Sequence, residues 1–408
     1  MEAKTRITAR NIRLFFVYGF LMDFALWAGV WIKYLIEDRG LELKWILAMD
    51  MPFWLLVAVL QAPTGALADH IGRRRVMALG GLLFSATVLG FGFTQNYWML
   101  FADYMLWAVA MSLMSGADQA LAYDSLKDSG EENRFQKVAG RAFAIRLVAG
   151  MAGITLGGML GGWLALGTVT KLGAIPPLLA ALVALTMHEP AIEREAKRYW
   201  ANLTGAVRFA WTTPQVRYTL LTGSVLLAGT FGPVVLIQPF LIEHDVNNVL
   251  FGVYQAPLRL VSVIAALVAF RVSARMGVGP LLATAGAAIV ICYGGLAGIQ
   301  STAAFGFFGL SSLMAGLTRP AIDGYLNQRI DSAQRATVLS VMQLLFAFQV
   351  AFFEPALGFF ADGISLKAAF IFAAAYFLVL MPPLLVLWGR ANRLRAPGLP
   401  VVAEATAG

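Results

Sequence analysis

The residues best able to do chemistry in this sequence are six ionisable side chains that lie inside long apolar stretches. They are Asp23, Asp118, Arg146, Arg259, Arg319 and Glu354. Each would cost about 2.5–3.5 kcal/mol at the centre of a bilayer on insertion scales, so we expect them to face a watery cavity or one another. Carboxyl groups in such a cavity can take up and release protons. The set favours a path for a solute and protons, whereas any single member could instead form a structural ion pair.

Asp23 is the leading candidate for a proton carrier because it lies about half-way along the first apolar stretch, away from bulk water. Desolvation disfavours the charged carboxylate, and an arginine that moved close would favour ionisation again. Asp118 and Glu354 are competing carriers, and a static pair of Asp23 with an arginine is the structural alternative. Asp50 and Asp103 fall nearer to the ends of their stretches, where we expect solvated structural roles.

A polar stripe accompanies Asp118 in the same apolar stretch. Ser112, Ser115 and Gln119 recur every three to four residues, which places them on one face of a helix. Lipid would not tolerate such a face, so the stripe predicts an aqueous lining.

Signatures of an enzyme are absent from the sequence. It has three histidines without a His-rich cluster, and neither a Walker A loop nor a G-x-S-x-G elbow. Cys292 is the only cysteine, which excludes an intramolecular disulfide and a cysteine-based metal site. We therefore predict no cofactor and no metal, and energy that comes from an ion or substrate gradient.

Composition indicates that lipid surrounds these stretches. Hydrophobic residues make up 59% and charged residues 13% of the 408 residues, too little charge for the surface of a soluble protein of this size. Because a spanning helix takes about 20 apolar residues, the chain has room for roughly a dozen. The net charge of +8 comes from brief loops rather than one basic face, which argues against a nucleic-acid partner.

Apolar runs separated by charged or Gly/Pro-marked breaks predict twelve spanning helices in two six-helix halves. The first half holds spans 12–36, 45–68, 76–94, 98–124, 138–166 and 172–188, and the second holds 218–242, 248–270, 279–299, 302–326, 337–361 and 368–390. The first run continues past signal-peptide length without a cleavage pattern, so we predict that it is a retained helix.

The distribution of lysine and arginine predicts the orientation. If the amino terminus is cytoplasmic, most of these residues fall on the inner side. The outer side then holds only Lys33, Arg39, Lys44, Lys171 and Lys367. We therefore predict a multi-pass protein of the cell's inner membrane with both termini in the cytoplasm.

The longest connection, about Glu189 to Tyr218, joins the two halves. Apolar residues recur there at helical spacing with arginines among them, a pattern typical of an amphipathic helix on the inner leaflet. The predicted organisation is residues 1–190 for the first half, 191–217 for this linker, 218–392 for the second half and 393–408 for a cytoplasmic tail.

The two halves also resemble each other in sequence. Ser112-Leu-Met-Ser-Gly116 corresponds to Ser312-Leu-Met-Ala-Gly316, and each segment runs on to an acid, Asp124 or Asp323. The matches fall at equivalent places in two six-helix halves, as an internally duplicated transporter requires.

The loop between the second and third spans carries a distinctive motif, Gly65-Ala-Leu-Ala-Asp69-His-Ile-Gly72-Arg73-Arg74-Arg75. Glycines permit close helix approach and a tight turn, and the aspartate and arginines can form charge-assisted bonds at the membrane edge. The motif resembles the G-x-L-A-D-x-x-G-R-R signature of the major facilitator superfamily. His70 stands where the family usually has a basic residue, and the matching second-half loop, Ala269–Arg275, has lost the aspartate.

The resemblance implies the family's twelve-helix fold and a latch between the cytoplasmic faces of the two halves. In the outward-open state Arg73 is expected to reach Asp124. The implied latch residues are Gly65, Asp69, Gly72, Arg73, Arg74 and Asp124.

The fifth span has one helical face almost without side chains. The glycines are Gly150, Gly153, Gly157, Gly158, Gly161 and Gly162, and such a face allows unusually close packing. The spacing resembles the antiporter signature G-x-x-x-G-P-x-x-G-G of exporters, with Gly158 in the proline position. Export is therefore favoured over uptake, although a glycine face is often mere packing.

In this superfamily helices 1, 4, 7 and 10 line a central cavity. The implied cavity groups are Asp23, Asp118, Gln119, Gln238 and Arg319, together with Arg146 of the fifth span. We predict a monomeric, proton-coupled exporter of a small amphipathic compound. The alternatives are a proton symporter that imports a small organic metabolite and a non-transporting membrane receptor.

Overall fold

The computed structural model describes residues 2–190, 205, 208–330 and 332–393, and these residues form helices and connections with no strand. The predicted linker falls largely on residues 191–204, 206 and 207, which lie outside the described part, as do residues 394–408 of the predicted tail. Within the linker, residues 208–212 are helical. The all-α prediction is confirmed.

Eight helices form the first half. They are α1 (Glu2–Asp23), α2 (Asp50–Ile71), α3 (Arg73–Phe91), α4 (Tyr97–Met114), α5 (Ala117–Asp128), α6 (Phe135–Leu160), α7 (Leu166–Leu172) and α8 (Ile175–Thr186). Short helical pieces at Trp27–Gly29, Trp31–Lys33, Tyr34–Asp38 and Leu43–Ala48 connect α1 to α2.

Six longer helices form the second half. They are α9 (Pro214–Glu243), α10 (Asn248–Met276), α11 (Val278–Gly298), α12 (Phe308–Asn327), α13 (Ser332–Gly363) and α14 (Leu366–Arg393). Because each span reverses the chain, the connections at 39–42, 93–96, 162–165, 244–247, 299–301 and 363–365 share one side. We call it the far side, and it is the predicted outer side.

Eleven stretches of the described residues are long and apolar enough to cross a membrane. The tenth predicted span, now α12, is not among them and carries Arg319 and Asp323. Its polar residues Ser311 and Thr318 are buried against other helices. A helix shielded by α9, α10 and α11 does not need an apolar surface all round, so α12 completes the second half despite its polar content.

Two predicted spans are interrupted rather than continuous. The first breaks after Asp23, where residues 24–26 leave the helix. A Cβ atom at Gly153 would lie 2.6 Å from the Ala25 amide nitrogen, so only a glycine face lets this backbone segment pack against α6. The fourth breaks between α4 and α5 at Gly116, whose φ of +75° favours glycine.

The two halves meet through equivalent pairs of helices. From the first half, α6 packs against α10, and α2 packs against α13. The first pair is the fifth span against the eighth, and the second pair is the second span against the eleventh. Replacing each span by its equivalent in the other half turns one pair into the other. The interface therefore has the pseudo-symmetry that an internal duplication produces.

Candidate functional site: a cavity between the halves

A cavity of about 510 Å³ lies between the two halves. Its aromatic walls are Trp27, Trp31, Phe53, Trp54, Tyr104, Trp107 and Phe231, and its polar groups are Asp50, Thr230, Gln238, Gln255, Arg259, Ser262, Ser312 and Glu354. A mostly apolar concave site with a few polar groups is typical of a small-molecule pocket. Of the predicted cavity residues, Gln238 lines this space directly.

Contacts between the halves close the far side of the cavity. The Gln238 side chain accepts from the backbone amides of Ile32 and Lys33 at 3.0 and 3.1 Å, and it donates to the Ala28 carbonyl at 2.9 Å. Gln238 therefore holds the interrupted first span in place instead of facing the cavity as a free solute ligand.

Further hydrogen bonds join the two halves on the same side. The Asn248 side chain donates to the Gly161 carbonyl at 3.2 Å, and the Lys44 amide donates to the Asp362 carboxylate at 2.5 Å. The Gln255 side chain donates to the Gly29 carbonyl at 3.2 Å. These hydrogen bonds join the two halves on the far side.

Asp23, Asp118 and Arg146 come together as one cluster on α1, α5 and α6. Arg146 forms a direct ion pair with Asp118 and lies 3.4 Å from the Asp23 carboxylate. The Asp118 side chain is 8% exposed, whereas that of Asp23 is 42% exposed. The arginine is therefore shared unequally, and Asp23 is the more accessible of the two acids.

Arg259 connects this cluster to the cavity. It lines the cavity from α10 and interacts electrostatically with Asp23 across the interface. A Cβ atom at Gly150 would lie 3.4 Å from the Arg259 guanidinium, so the start of the glycine face leaves room for this side chain. Two acids and two arginines thus meet in one region, and their charges balance.

Two predicted cavity groups lie elsewhere. Gln119 is exposed at the start of α5, where its backbone amide donates to Asp118 at 2.7 Å. Arg319 pairs with Asp323 at 3.0 Å, and the Gln343 side-chain oxygen accepts from it at 2.7 and 3.0 Å when that amide is oriented to satisfy both groups. In this conformation Arg319 is therefore held on the α12–α13 side.

The expectation of a solvated structural role for Asp50 is wrong. Asp50 is 4% exposed, accepts a hydrogen bond from Tyr104, and lines the cavity together with Glu354. Its position at the end of an apolar run suggested solvent, but the preceding short helix Leu43–Ala48 and α13 cover it. No local sequence signal reveals this cover, because it comes from the pairing of α2 with α13 across the interface.

The motif loop folds onto its own half. The Arg73 and Arg74 backbone amides donate to the Glu189 carboxylate at 2.9 and 3.0 Å, and Arg73 forms an ion pair with Asp124. Asp69 lies 3.8 Å from Arg73. The Arg73–Asp124 pair is present while the halves meet on the far side, so it does not depend on an outward-open state.

The two motif glycines differ in their surroundings. Gly72 has a φ of +98°, and a Cβ atom there would lie 3.1 Å from the Glu189 carboxylate. At Gly65, no described atom other than those of its chain neighbours and its own helix backbone lies within 4 Å of that position. The expected close helix approach at Gly65 is therefore not formed in this conformation, whereas the tight turn at Gly72 is.

Comparison with known proteins agrees with this architecture. The family model of the Major Facilitator Superfamily matches residues 14–348. A search of curated proteins found no match.

Solved transporters share the fold at low sequence identity. A mutant of the nucleoside transporter NupG superposes with a TM-score of 0.78 at 14% identity, covering 93% of this chain and 99% of that one. A bacterial homolog of the human lysosomal transporter Spinster, in an inward-facing and unoccupied conformation, gives 0.72 at 16% identity over 97% and 99%. A POT family transporter in complex with 5-aminolevulinic acid gives 0.70 at 14% identity over 94% and 97%.

The sequence matches the family model over most of its length. The structure adds interrupted spans, paired interface helices and a cavity between two halves. The protein belongs to the Major Facilitator Superfamily and is a multi-pass membrane transporter.

Proposed function

We propose that this transporter exports a small amphipathic organic compound in exchange for protons by alternating access. The observation that carries the proposal is the sharing of Arg146 between Asp23 and Asp118 inside the membrane. When Asp23 takes up a proton, Arg146 pairs with Asp118 alone. When Arg146 approaches Asp23 again, its positive charge favours release of that proton. The cluster can thus load and release one proton per cycle.

The cavity supports an amphipathic substrate. Aromatic rings from α2, α4, α9 and the short helices between α1 and α2 form its walls, with a small number of polar groups among them. Its volume of about 510 Å³ suits a small molecule. Because it is formed by one chain, the proposal also holds for a monomer.

Export is favoured by the glycine face of α6. Gly158, in the proline position of the antiporter signature, touches the backbone of Gly252 on α10. A proline there would place its ring where the α10 backbone lies, so glycine at this position permits the close contact between α6 and α10. The side with both termini is proposed to face the cytoplasm, in agreement with the lysine and arginine distribution.

The direction of a proton gradient tests the proposal in proteoliposomes. Compounds that raise the melting temperature of the purified protein, from cationic, neutral and anionic amphipathic sets, supply the ligands. An exchanger accumulates its substrate in vesicles with an acidic lumen. Accumulation only when the outside is acidic would instead identify a symporter, and accumulation under neither gradient would contradict proton coupling.

A further inference from the structure

Two buried carboxyl groups from opposite halves meet at the far end of the cavity. Asp50 of α2 is 4% exposed, and Glu354 of α13 is 1% exposed. Both line the cavity, and they lie within reach of a hydrogen bond to each other when one of them carries a proton. The interface between α2 and α13 is therefore built around two acids.

The groups facing this pair supply no compensating positive charge, and Arg259, which lines the same cavity, interacts with Asp23 instead. The facing groups are Tyr104 from α4, Tyr293 from α11 and the Trp54 indole from α2. No lysine, arginine or histidine among the described residues forms an ion pair with either acid. Lys44, which precedes α2, is 2.6 Å from Glu42 and lowers the pKa of that exposed carboxyl group, and Arg319 pairs with Asp323.

Hydrogen bonding indicates which acid holds a proton. The Tyr104 hydroxyl donates to Asp50 Oδ1, which favours Asp50 as the carboxylate. Asp50 Oδ2 and both oxygens of Glu354 are buried and receive no well-formed hydrogen bond from the described residues. A proton on Glu354 would let it donate to Asp50 Oδ2, which gives one oxygen of each acid a partner.

We propose that Asp50 and Glu354 form a site for one proton, and that this proton is needed to close the far side of the cavity. Two carboxylates in contact in a dry site cannot both ionise at low cost, so they titrate as a pair. Loss of the proton leaves two like charges on opposite halves, which separates α2 from α13. The site deepens the proposed proton coupling by adding a proton-dependent gate to the Asp23 cluster.

Spin-label distances across the far side test the site without substrate or gradient. Gln95 and Ile364 are exposed on opposite halves, and Cys292, the only native cysteine, would be replaced by alanine so that cysteines at these two positions carry the labels. In the otherwise unchanged protein we expect the population with the short distance to fall as the pH rises. Glu354→Gln and Asp50→Asn should each abolish this change and hold the short distance throughout, because each neutral side chain mimics the protonated acid.

Two further variants and two contrary results complete the test. Glu354→Asp keeps a titratable acid and should retain a pH-dependent distance, and Asp103→Asn, which neutralises an acid of α4 outside the cavity lining, should match the unchanged protein. A distance independent of pH in the unchanged protein would overturn the proposal, as would a normal pH dependence in both neutral variants. The distance measurement needs no transport. A result that contradicts this gate is therefore distinct from a result in proteoliposomes that contradicts the proposed proton-coupled export.

Discussion

Gly158 of α6 and Gly252 of α10 touch backbone to backbone across the two halves. A Cβ atom at Gly158 would overlap the Gly252 amide nitrogen, and one at Gly252 would overlap the Ile154 carbonyl oxygen. Side chains at either position are incompatible with the far-side contacts seen here. The glycine face of α6 thus serves the closure of the transporter as well as the packing of a single half.

Gly158→Ala should therefore impair far-side closure. We expect the short-distance population between labels at positions 95 and 364 to fall, with slower transport, because the added methyl group must push α10 away. Gly140→Ala lies on the same helix, where no described atom beyond the chain neighbours and the helix's own backbone lies within 4 Å of the Cβ position, and it should leave both measurements unchanged. Equal behaviour of the two variants would show that the glycine contact does not control closure.

Gly72→Ala should destabilise the protein through the motif turn. A side chain at the positive φ of Gly72 costs on the order of 1–3 kcal/mol in backbone strain, and here its Cβ would also press on the Glu189 carboxylate. A lower melting temperature of the purified protein is expected. Gly65→Ala serves as the control. Its methyl group lies on α2 next to open space and alanine favours the helix, so the melting temperature of this variant should be unchanged or slightly higher. A melting temperature for Gly72→Ala equal to that of the unchanged protein would contradict this account of the turn.

Asp124→Asn should cost more stability than Asp69→Asn, although both belong to the motif region. Asp124 is 9% exposed and pairs directly with Arg73, whereas Asp69 is 46% exposed and lies 3.8 Å away. Removing one partner of a buried pair leaves an uncompensated charge and can cost about 3–5 kcal/mol, but exposed pairs contribute about 0–1 kcal/mol. Thermal unfolding in detergent measures the stability of both variants, and the reverse order would show that Asp69 is the main anchor.

We expect Asp69→Asn to express normally and to lose transport.

Orientation in the membrane is open to a direct test. Cysteines at Asn96 and Asp362, both exposed on the far side, should react with an impermeant thiol reagent added outside intact cells. A cysteine at Arg74 should react only after the membrane is opened. The opposite pattern would reverse the proposed direction of export.

The sequence predicted the helical class, the superfamily and most span positions because long apolar runs and the Gly65–Arg75 motif are local signals. It did not predict the breaks at residues 24–26 and at Gly116, since each depends on a partner helix or a turn that local hydropathy does not reveal. The same limit applies to the site. Asp23 and Asp118 stood out inside apolar runs, but Asp50 is buried through contacts with other elements, among them Tyr104 of α4 and Glu354 of α13.

The most direct test of proton coupling compares Asp23→Asn with the unchanged protein in proteoliposomes. Asparagine mimics the protonated acid permanently, so we expect gradient-driven accumulation of substrate to be abolished while exchange without a gradient continues. Asp38→Asn, at an exposed acid of the far side, should behave like the unchanged protein. Asp23→Asn vesicles that still accumulate substrate against its gradient under an imposed proton gradient would contradict the central claim.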